Sequence, residues 1–543
     1  LFFNFLVTTL LVADTNFFRY YYNLITIPVF FQFDIKLISS VDQSIMSLFK
    51  IKDVLYIIDL PFMLASVFML NKNIEKIKFS KRLIRSVSLS LVGFAIVLAI
   101  FPKSNINAFA YSNNYSAKSL GVFYSHFYNT KLYLSELLLE DEDLTNEEKD
   151  SINTFLNRKT TASSLNYKGI CKGKNLIIVQ IEAMQHFVIN REINGKEITP
   201  NLNKLVKESL YFDNLYYQVA GGNTSDAEFL CNTSLYPAKE GSVYFRFSEN
   251  TYDSLPKILK SGGYNTYVLH AFEDQFWNRK QMYETLGFDR FVSGSDYIQD
   301  DFAGWKGEAL SDSSFFRQSL DKIDTSKLFY SFFITLSSHH PFNFFEDYQF
   351  DVGEYEETYI GNYLKAANYA DKCIGEFIED LKSRGLYDNS LLVLYGDHSA
   401  VPKIQAEELL DFLDVDYSDI NWAKLQKVPL IMHYPGQVFG KVISTTGGQI
   451  DILPTIANMM DLQAPCAMGK DLLNTDTGYA VLRNGSIIKN DYVYINDTRE
   501  IYDFSTGKTL DLDYYQNEIC SYLNELEISD IIITKDALKS IQD

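Results

Sequence analysis

Residues 175–182, NLIIVQIE, are apolar at almost every position and stop abruptly on a carboxylate. A strand with one solvated face alternates apolar and polar residues, whereas a near-continuous run suits a strand buried on both faces of a sheet. Reading outward, helical and extended patterns alternate. ITPNLNKLVKES (198–209) reads as a helix and LYFDNLYY (210–217) as a strand. SLPKILKSGG (254–263) reads as a helix closing on glycine, followed by the strand YNTYVLH (264–270). KLFYSFFITLSS (327–338), SLLVLYGDH (390–398) and VPLIMHYPG (428–436) read as further strands. Residues 363–385 form an amphipathic helix with Ala367, Ala370, Ile374, Phe377 and Leu381 on one face, and DILPTIANMMDL (451–462) is another helix. This alternation predicts an α/β domain built on a mostly parallel sheet flanked by helices. After about Gly469 the pattern turns to short alternating strands and a final helix, predicting a small C-terminal antiparallel layer.

The polar residues that end these strands carry the chemistry, because ligands of open α/β sheets sit outside the carboxyl ends of the strands. Glu182 ends the first run, His270 ends YNTYVLH, His339 and His340 follow FITLSS, and Asp397 and His398 end LLVLYGDH. One such histidine would mean little; together they predict a shared site. Glu182, Asp397 and His398 form an oxygen-rich set with one imidazole, which suits Mn²⁺ or Mg²⁺ and leaves Zn²⁺ open. A cation there lowers the pKa of a nearby hydroxyl and screens a phosphate. The hydroxyl candidate is Thr224 in VAGGNTSDAEFL (219–230), where Gly221 and Gly222 permit close approach and SDAEFL begins a helix whose N–H groups can hold a phosphoryl group. On local pattern alone, Thr224 or Ser225 serves equally well as an N-cap.

Glu182, GGNTSDAEF (221–229), FWNR (276–279), SSHHPF (337–342), YGDH (395–398), VPLIMHYPG and GGQIDILPTI together resemble the lipoteichoic acid synthase family, in matching order. The resemblance implies a sulfatase/alkaline-phosphatase-like fold behind a multi-pass membrane anchor, with an extracellular catalytic domain. It implies a metal-dependent transferase that moves glycerol phosphate from phosphatidylglycerol onto a growing, glycolipid-anchored polyglycerolphosphate chain. By motif, Glu182, Thr224, Asp397 and His398 match metal ligands, with Mn²⁺ the usual ion, and Thr224 matches the nucleophile of a phosphothreonine-type intermediate. Trp277, Arg279 and His339 match substrate-contacting positions, and His270 matches a motif histidine. A departure falls at Phe272, where the family can carry an acidic residue. A phosphoethanolamine transferase, a teichoic-acid primase or a phosphodiesterase of the same fold are the neighbouring readings. A non-catalytic membrane scaffold is the alternative of another class.

The 543 residues exceed one core, and the expected units are 1–101 (membrane region), 102–173 (helical linker), 174–470 (catalytic domain) and 471–543 (C-terminal strands and helix). Apolar runs at Leu1–Val12, Val54–Leu70 and Leu83–Phe101 are the candidate spans. The basic stretch 71–85 between the last two is the expected cytoplasmic loop, which puts everything after Phe101 outside the cell. The aromatic segment FFRYYYNLITIPVFFQF (17–33) lies in an expected outside loop spanning 13–52. The chain opens on Leu1 inside an apolar run, and a true N-terminus before it is expected. A net charge of −20 repels nucleic acid and requires that an anionic substrate be held by a metal or an arginine. The cysteines Cys171, Cys231, Cys373, Cys466 and Cys520 are widely spaced and predict neither disulfides nor a structural zinc site. His126, His186 and His433 carry no motif and read as ordinary surface or packed histidines.

Overall fold

The computed structural model describes residues 2–32, 46, 48–71, 112–139, 143–158, 165–307, 309–342, 345 and 348–542. Its central sheet contains β1 (Asn175–Ile181), β4 (Leu210–Tyr216), β5 (Asn265–Leu269), β6 (Arg290–Val292), β7 (Phe329–Ile334), β8 (Ser390–Gly396), β9 (Lys427–His433), β10 (Lys441–Ile443) and β11 (Gly447–Gly448). A short hairpin, β2 (Glu192–Ile193) and β3 (Lys196–Glu197), stands apart from it. The order across the sheet is β10-β4-β9-β8-β1-β7-β5-β6, with β11 also paired to β4. Every pairing in it is parallel except those of β9 with β8 and with β4. β9, the VPLIMHYPG strand, therefore runs against the rest, and the sheet is mixed but mostly parallel.

The period of two along each strand divides the core between the two faces of the sheet. Leu176 and Ile178 of β1, with Leu391, Val393 and Tyr395 of β8, join one cluster that includes Phe229 and Leu230 of the helix Thr224–Thr233. Ile177, Val179 and Ile181, with Leu392 and Leu394, join the other, against the amphipathic helix Tyr359–Ser383. Both faces are covered, which explains the lack of alternation in NLIIVQIE.

β12 (Tyr479–Val481), β13 (Ile487–Lys489), β14 (Tyr492–Ile495) and β15 (Glu500–Asp503) form the expected C-terminal antiparallel layer, followed by the helix Leu512–Thr534. Cys171, Cys231, Cys373 and Cys466 are buried and Cys520 is exposed, and none of them forms a disulfide.

The N-terminal region differs from the expectation. The first apolar run does not end near Val12; its helix continues to Tyr21, so residues 13–21 are helical rather than loop. Asp14 inside it meets His126 at 2.6 Å, so His126 holds two helices together. Val54–Leu70 is broken into a 3₁₀ turn, Ile51–Ile57, and a helix of 12 residues, Leu60–Asn71. At 1.5 Å per residue such a helix is well short of the roughly 30 Å of a bilayer core. Among the described residues, no helix is long and apolar enough to cross a membrane. The third run, Leu83–Phe101, and the basic stretch after Asn71 lie outside the described residues. In the linker, helices occupy Asn113–Leu120, Val122–Leu139 and Asn146–Leu156.

Candidate active site

β8, β1, β7 and β5 are consecutive in the sheet and parallel, so their carboxyl ends open on one edge. That edge receives Glu182 after β1, Asp397 and His398 after β8, His339 after β7 and His270 after β5. The sheet topology thus brings the predicted residues together.

His398 Nε2 lies 3.4 Å from Glu182 Oε1 and 3.5 Å from Asp397 Oδ2. All three side chains are buried, and each offers a ligand atom within 4.8 Å of the others. Asp397 Oδ1 accepts from the backbone N–H of Ala183 and of His398, each at 2.7 Å, whereas Oδ2 is buried with no hydrogen-bond partner. Burial and then the Glu182 charge push Asp397 well above the ordinary carboxylate range. Burial alone would lower His398, but Asp397 and Glu182 hold it up at about 10. Burial would likewise raise Glu182, but His339 and His398 bring it down to about 2. Two buried carboxylates, one with an unpartnered oxygen, and one imidazole within reach of each other are donor types that a divalent cation fits.

Thr224 stands at the first turn of its helix and donates from Oγ1 to Glu182 Oε2 at 3.3 Å. The backbone before it is tightly built. Asn223 has φ 40°, in the left-handed region, and the Asp226 carboxylate accepts from the N–H of Ala220 and of Gly222, each at 2.9 Å. A Cβ on Gly222 would meet Asp226 Oδ1 at 2.1 Å, so glycine is required there. Behind the helix, Gln180 of β1 donates to the Thr224 carbonyl at 3.1 Å and is itself held by Tyr395 of β8 at 2.5 Å. The one polar side chain within the apolar run Leu176–Ile181 therefore anchors this turn.

Arg279 is 1% exposed. Its Nε and Nη2 both donate to Glu228 Oε1, at 3.0 and 2.7 Å, while Tyr283 takes Oε2 at 2.6 Å. Nη1 is buried without a partner, a donor left for an anion. The turn that delivers Arg279 is strained: Trp277 and Asn278 are both left-handed, with φ 59° and 55°. Trp277 itself packs against Phe245 and Phe276.

His339 Nδ1 lies 2.7 Å from the His340 carbonyl, which can only accept, so Nδ1 carries the hydrogen and Nε2 is an acceptor. Burial lowers its pKa, favouring the neutral ring. Trp305 stacks on it with ring centroids 4.1 Å apart. His270 is fixed by Nδ1 donating to the Ile334 carbonyl at 3.0 Å, and burial pushes it down to about 3. Phe272, the departure from the motif, stacks on Trp305 at 4.9 Å. An aromatic wall therefore stands where an acidic side chain was the alternative. His340 makes ring contacts with Tyr20, Phe342 and Tyr359. His186 stacks on Tyr211 and His433 on Tyr387, both away from this edge.

Glu228, Trp305, Asp226 and Gln180 belong to the site's framework but were not singled out in the sequence. Gln180 left a signal as a polar residue inside an apolar strand, and Asp226 and Glu228 lie within the quoted stretch GGNTSDAEF.

A buried two-carboxylate, one-imidazole centre on the strand edge of such a sheet, with a threonine and an arginine beside it, defines a phosphotransferase of the sulfatase and alkaline phosphatase type. The Sulfatase family model matches residues 174–462, and that of the lipoteichoic acid synthase N-terminal domain matches residues 1–137. The chain is 34% identical to lipoteichoic acid synthase 2 of Bacillus subtilis, over 99% of this chain and 83% of that protein. It is 29% identical to the lipoteichoic acid synthase of Staphylococcus aureus, over 98% and 84%. Among solved structures, that of the lipoteichoic acid synthase LtaP from Listeria monocytogenes superimposes with a TM-score of 0.65 at 30% identity, covering 71% of this chain and 98% of that one. The chain belongs to the lipoteichoic acid synthase family.

Proposed function

We propose that this enzyme transfers glycerol phosphate from phosphatidylglycerol to the terminal glycerol of a growing polyglycerolphosphate chain, through a covalent bond to Thr224. The observation that carries this reading is Thr224 Oγ1 at 3.3 Å from Glu182, on the helix whose Glu228, one turn on, holds Arg279 with its Nη1 unpartnered. A threonine hydroxyl is a weak nucleophile at neutral pH and needs activation. A divalent cation held by Glu182, Asp397, His398 and Thr224, with Mn²⁺ the favoured ion, supplies that activation and Lewis-acid stabilisation when bound.

The chain's own residues then have distinct tasks. Glu182 fixes the Thr224 rotamer, and Asp226 and Gln180 fix the backbone beneath it. Thr224 Oγ forms a bond to phosphorus as the bond from phosphorus to the diacylglycerol oxygen breaks, and diacylglycerol leaves with the proton. A glycerol hydroxyl of the acceptor next attacks the same phosphorus, and Thr224 Oγ is released. Arg279 Nη1 takes a non-bridging oxygen whose charge grows during both steps. His339 Nε2, held as an acceptor, takes the proton of the attacking hydroxyl in each step and passes it to the departing oxygen, diacylglycerol first and then Thr224. Trp277 and His270 complete the headgroup pocket.

A lipid donor accords with the N-terminal family domain and with a multi-pass anchor carrying the catalytic domain outside the cell, divided as 1–101, 102–173, 174–470 and 471–543. The deciding experiment measures diacylglycerol release from fluorescent phosphatidylglycerol by the full chain, with Mn²⁺ and with EDTA, beside Thr224→Ala. Release that requires the metal and disappears in Thr224→Ala is expected. Release by folded Thr224→Ala at the wild-type rate would rule Thr224 out as the nucleophile.

A further inference from the structure

The catalytic edge is not closed by the catalytic domain alone. A cavity of about 270 Å³ begins at His398 and Asn223, and its opposite side is lined by Tyr20, Tyr21 and Asn114. The Tyr20 ring lies 5.1 Å from that of His340, nearly edge-on at 65°, and its side chain is within electrostatic reach of Glu182 and Asp397. A volume of this order suits a small polar headgroup and excludes a folded partner.

This wall is fastened from several directions. Glu240, in the loop after the Thr224 helix, accepts from Thr26 Oγ1 and from Asn113 Nδ2, each at 2.9 Å. Asp497 accepts from Ser112 Oγ at 2.5 Å, and Asn114 Nδ2 donates to the Tyr22 carbonyl at 3.0 Å. Lys403, just beyond the metal-site loop, sits 4.6 Å from the centre of the Tyr22 ring. Next to Tyr20, Arg19 grips both oxygens of Asp53 at 2.6 Å. The residues that follow the helix are thus tied to Glu240 and Lys403 of the catalytic domain, and the helix end itself to Asp53.

We infer that the N-terminal segment around Tyr20 forms the outer wall of the catalytic cavity, and that Tyr20 is a positioning residue that seats the phosphoglycerol headgroup and keeps water from the covalent intermediate. The inference rests on the transferase reading above. The Tyr20 ring, edge-on to His340 and lining the same cavity as His398 and Asn223, takes up space there without offering a competing charge. Water is the smaller and more abundant acceptor, so a transferase that uses a sugar-alcohol hydroxyl needs such an exclusion device.

The test compares the full chain with Tyr20→Ala and Tyr20→Phe. Three quantities are read with Mn²⁺ present: the KM and kcat of diacylglycerol release, the fraction of product appearing as free glycerol phosphate rather than transferred to added glycerol acceptor, and binding of sn-glycerol 1-phosphate. Tyr20→Ala is expected to lower kcat/KM about tenfold, mainly through KM, to raise the free fraction and to weaken binding, with Tyr20→Phe within about twofold of wild type. Wild-type KM, product partition and binding in Tyr20→Ala overturn the inference. So does an equal fall in kcat in both variants with KM and partition unchanged. Absence of diacylglycerol release from the wild type would defeat the donor assignment instead, and the binding measurement still decides the role of Tyr20.

Discussion

Arg279 and Glu228 form a buried pair in which two guanidinium nitrogens share one carboxylate oxygen and the third, Nη1, is left without a partner. The pair fixes the guanidinium and leaves Nη1 as its one nitrogen without a hydrogen-bond partner, the donor that the proposed reaction assigns to a phosphoryl oxygen. Arg279→Lys keeps a charge but loses the fork, and is expected to cost about 10²–10³ in kcat/KM for phosphatidylglycerol, measured beside an unchanged circular dichroism spectrum. Glu228→Ala strands the buried Arg279 cation and is expected to destabilise the fold by about 3–5 kcal/mol in denaturant titrations.

Asp397 and Glu182 are buried together, and burial followed by the Glu182 charge raises Asp397. Asp397→Asn is expected to abolish stoichiometric Mn²⁺ binding, weakening it by more than about 100-fold, because one ligand charge is lost. The same variant, stripped of metal by EDTA, is expected to melt at a higher temperature than stripped wild type. Elemental analysis and thermal melts read the two effects; wild-type metal content in Asp397→Asn would move the ion elsewhere.

Gly222→Ala places a methyl group at 2.1 Å from Asp226 Oδ1 and forces the staple under Thr224 open. Turnover is expected to fall far more than stability, which should drop by about 1–3 kcal/mol. Retained turnover would show that the loop before Thr224 tolerates movement.

Trp305 stacks on His339 and on Phe272. Trp305→Leu is expected to free the imidazole and lower kcat about tenfold while leaving metal content unchanged. An unchanged kcat would mean that the hydrogen bond to the His340 carbonyl suffices to orient His339.

His186 is pushed down to about 3 from an ordinary 6.5, first by burial and then by Lys427 and Arg191. Its folded-state value is depressed, so between these two values the unfolded chain binds the extra proton. Stability is therefore full above about 6.5 and is lost as pH falls toward 3. His186→Phe is expected to flatten that decline by up to about 1.4 kcal/mol per pH unit, read from urea midpoints across the window.

Much of this site was legible in the sequence because parallel strands announce themselves by continuous apolar runs, and the residue that breaks each run marks the same sheet edge. Glu182, His270, His339, Asp397 and His398 were found that way. The orientation of β9 was not legible, since a buried strand has the same composition whichever way it runs. Glu228 and Trp305 escaped notice because they act on residues 51 and 34 positions away, Arg279 and His339, and no periodicity records such pairings. Tyr20 was read as part of an aromatic membrane-proximal loop. An aromatic cluster has the same residue types whether it meets lipid or an enzyme's cavity, and only the tertiary contact with His340 tells them apart.

The strand order separates two kinds of demand on the protein. β1 and β8 are neighbours and end on Glu182, Asp397 and His398, while β7 and β5, the next pair along, are followed by His339, His270 and Phe272. Loops after β5 and β7 can therefore change without moving the residues that end β1 and β8. Substitution on one half of the edge is a route by which a single lineage could diversify in what it accepts while inheriting one unaltered reaction.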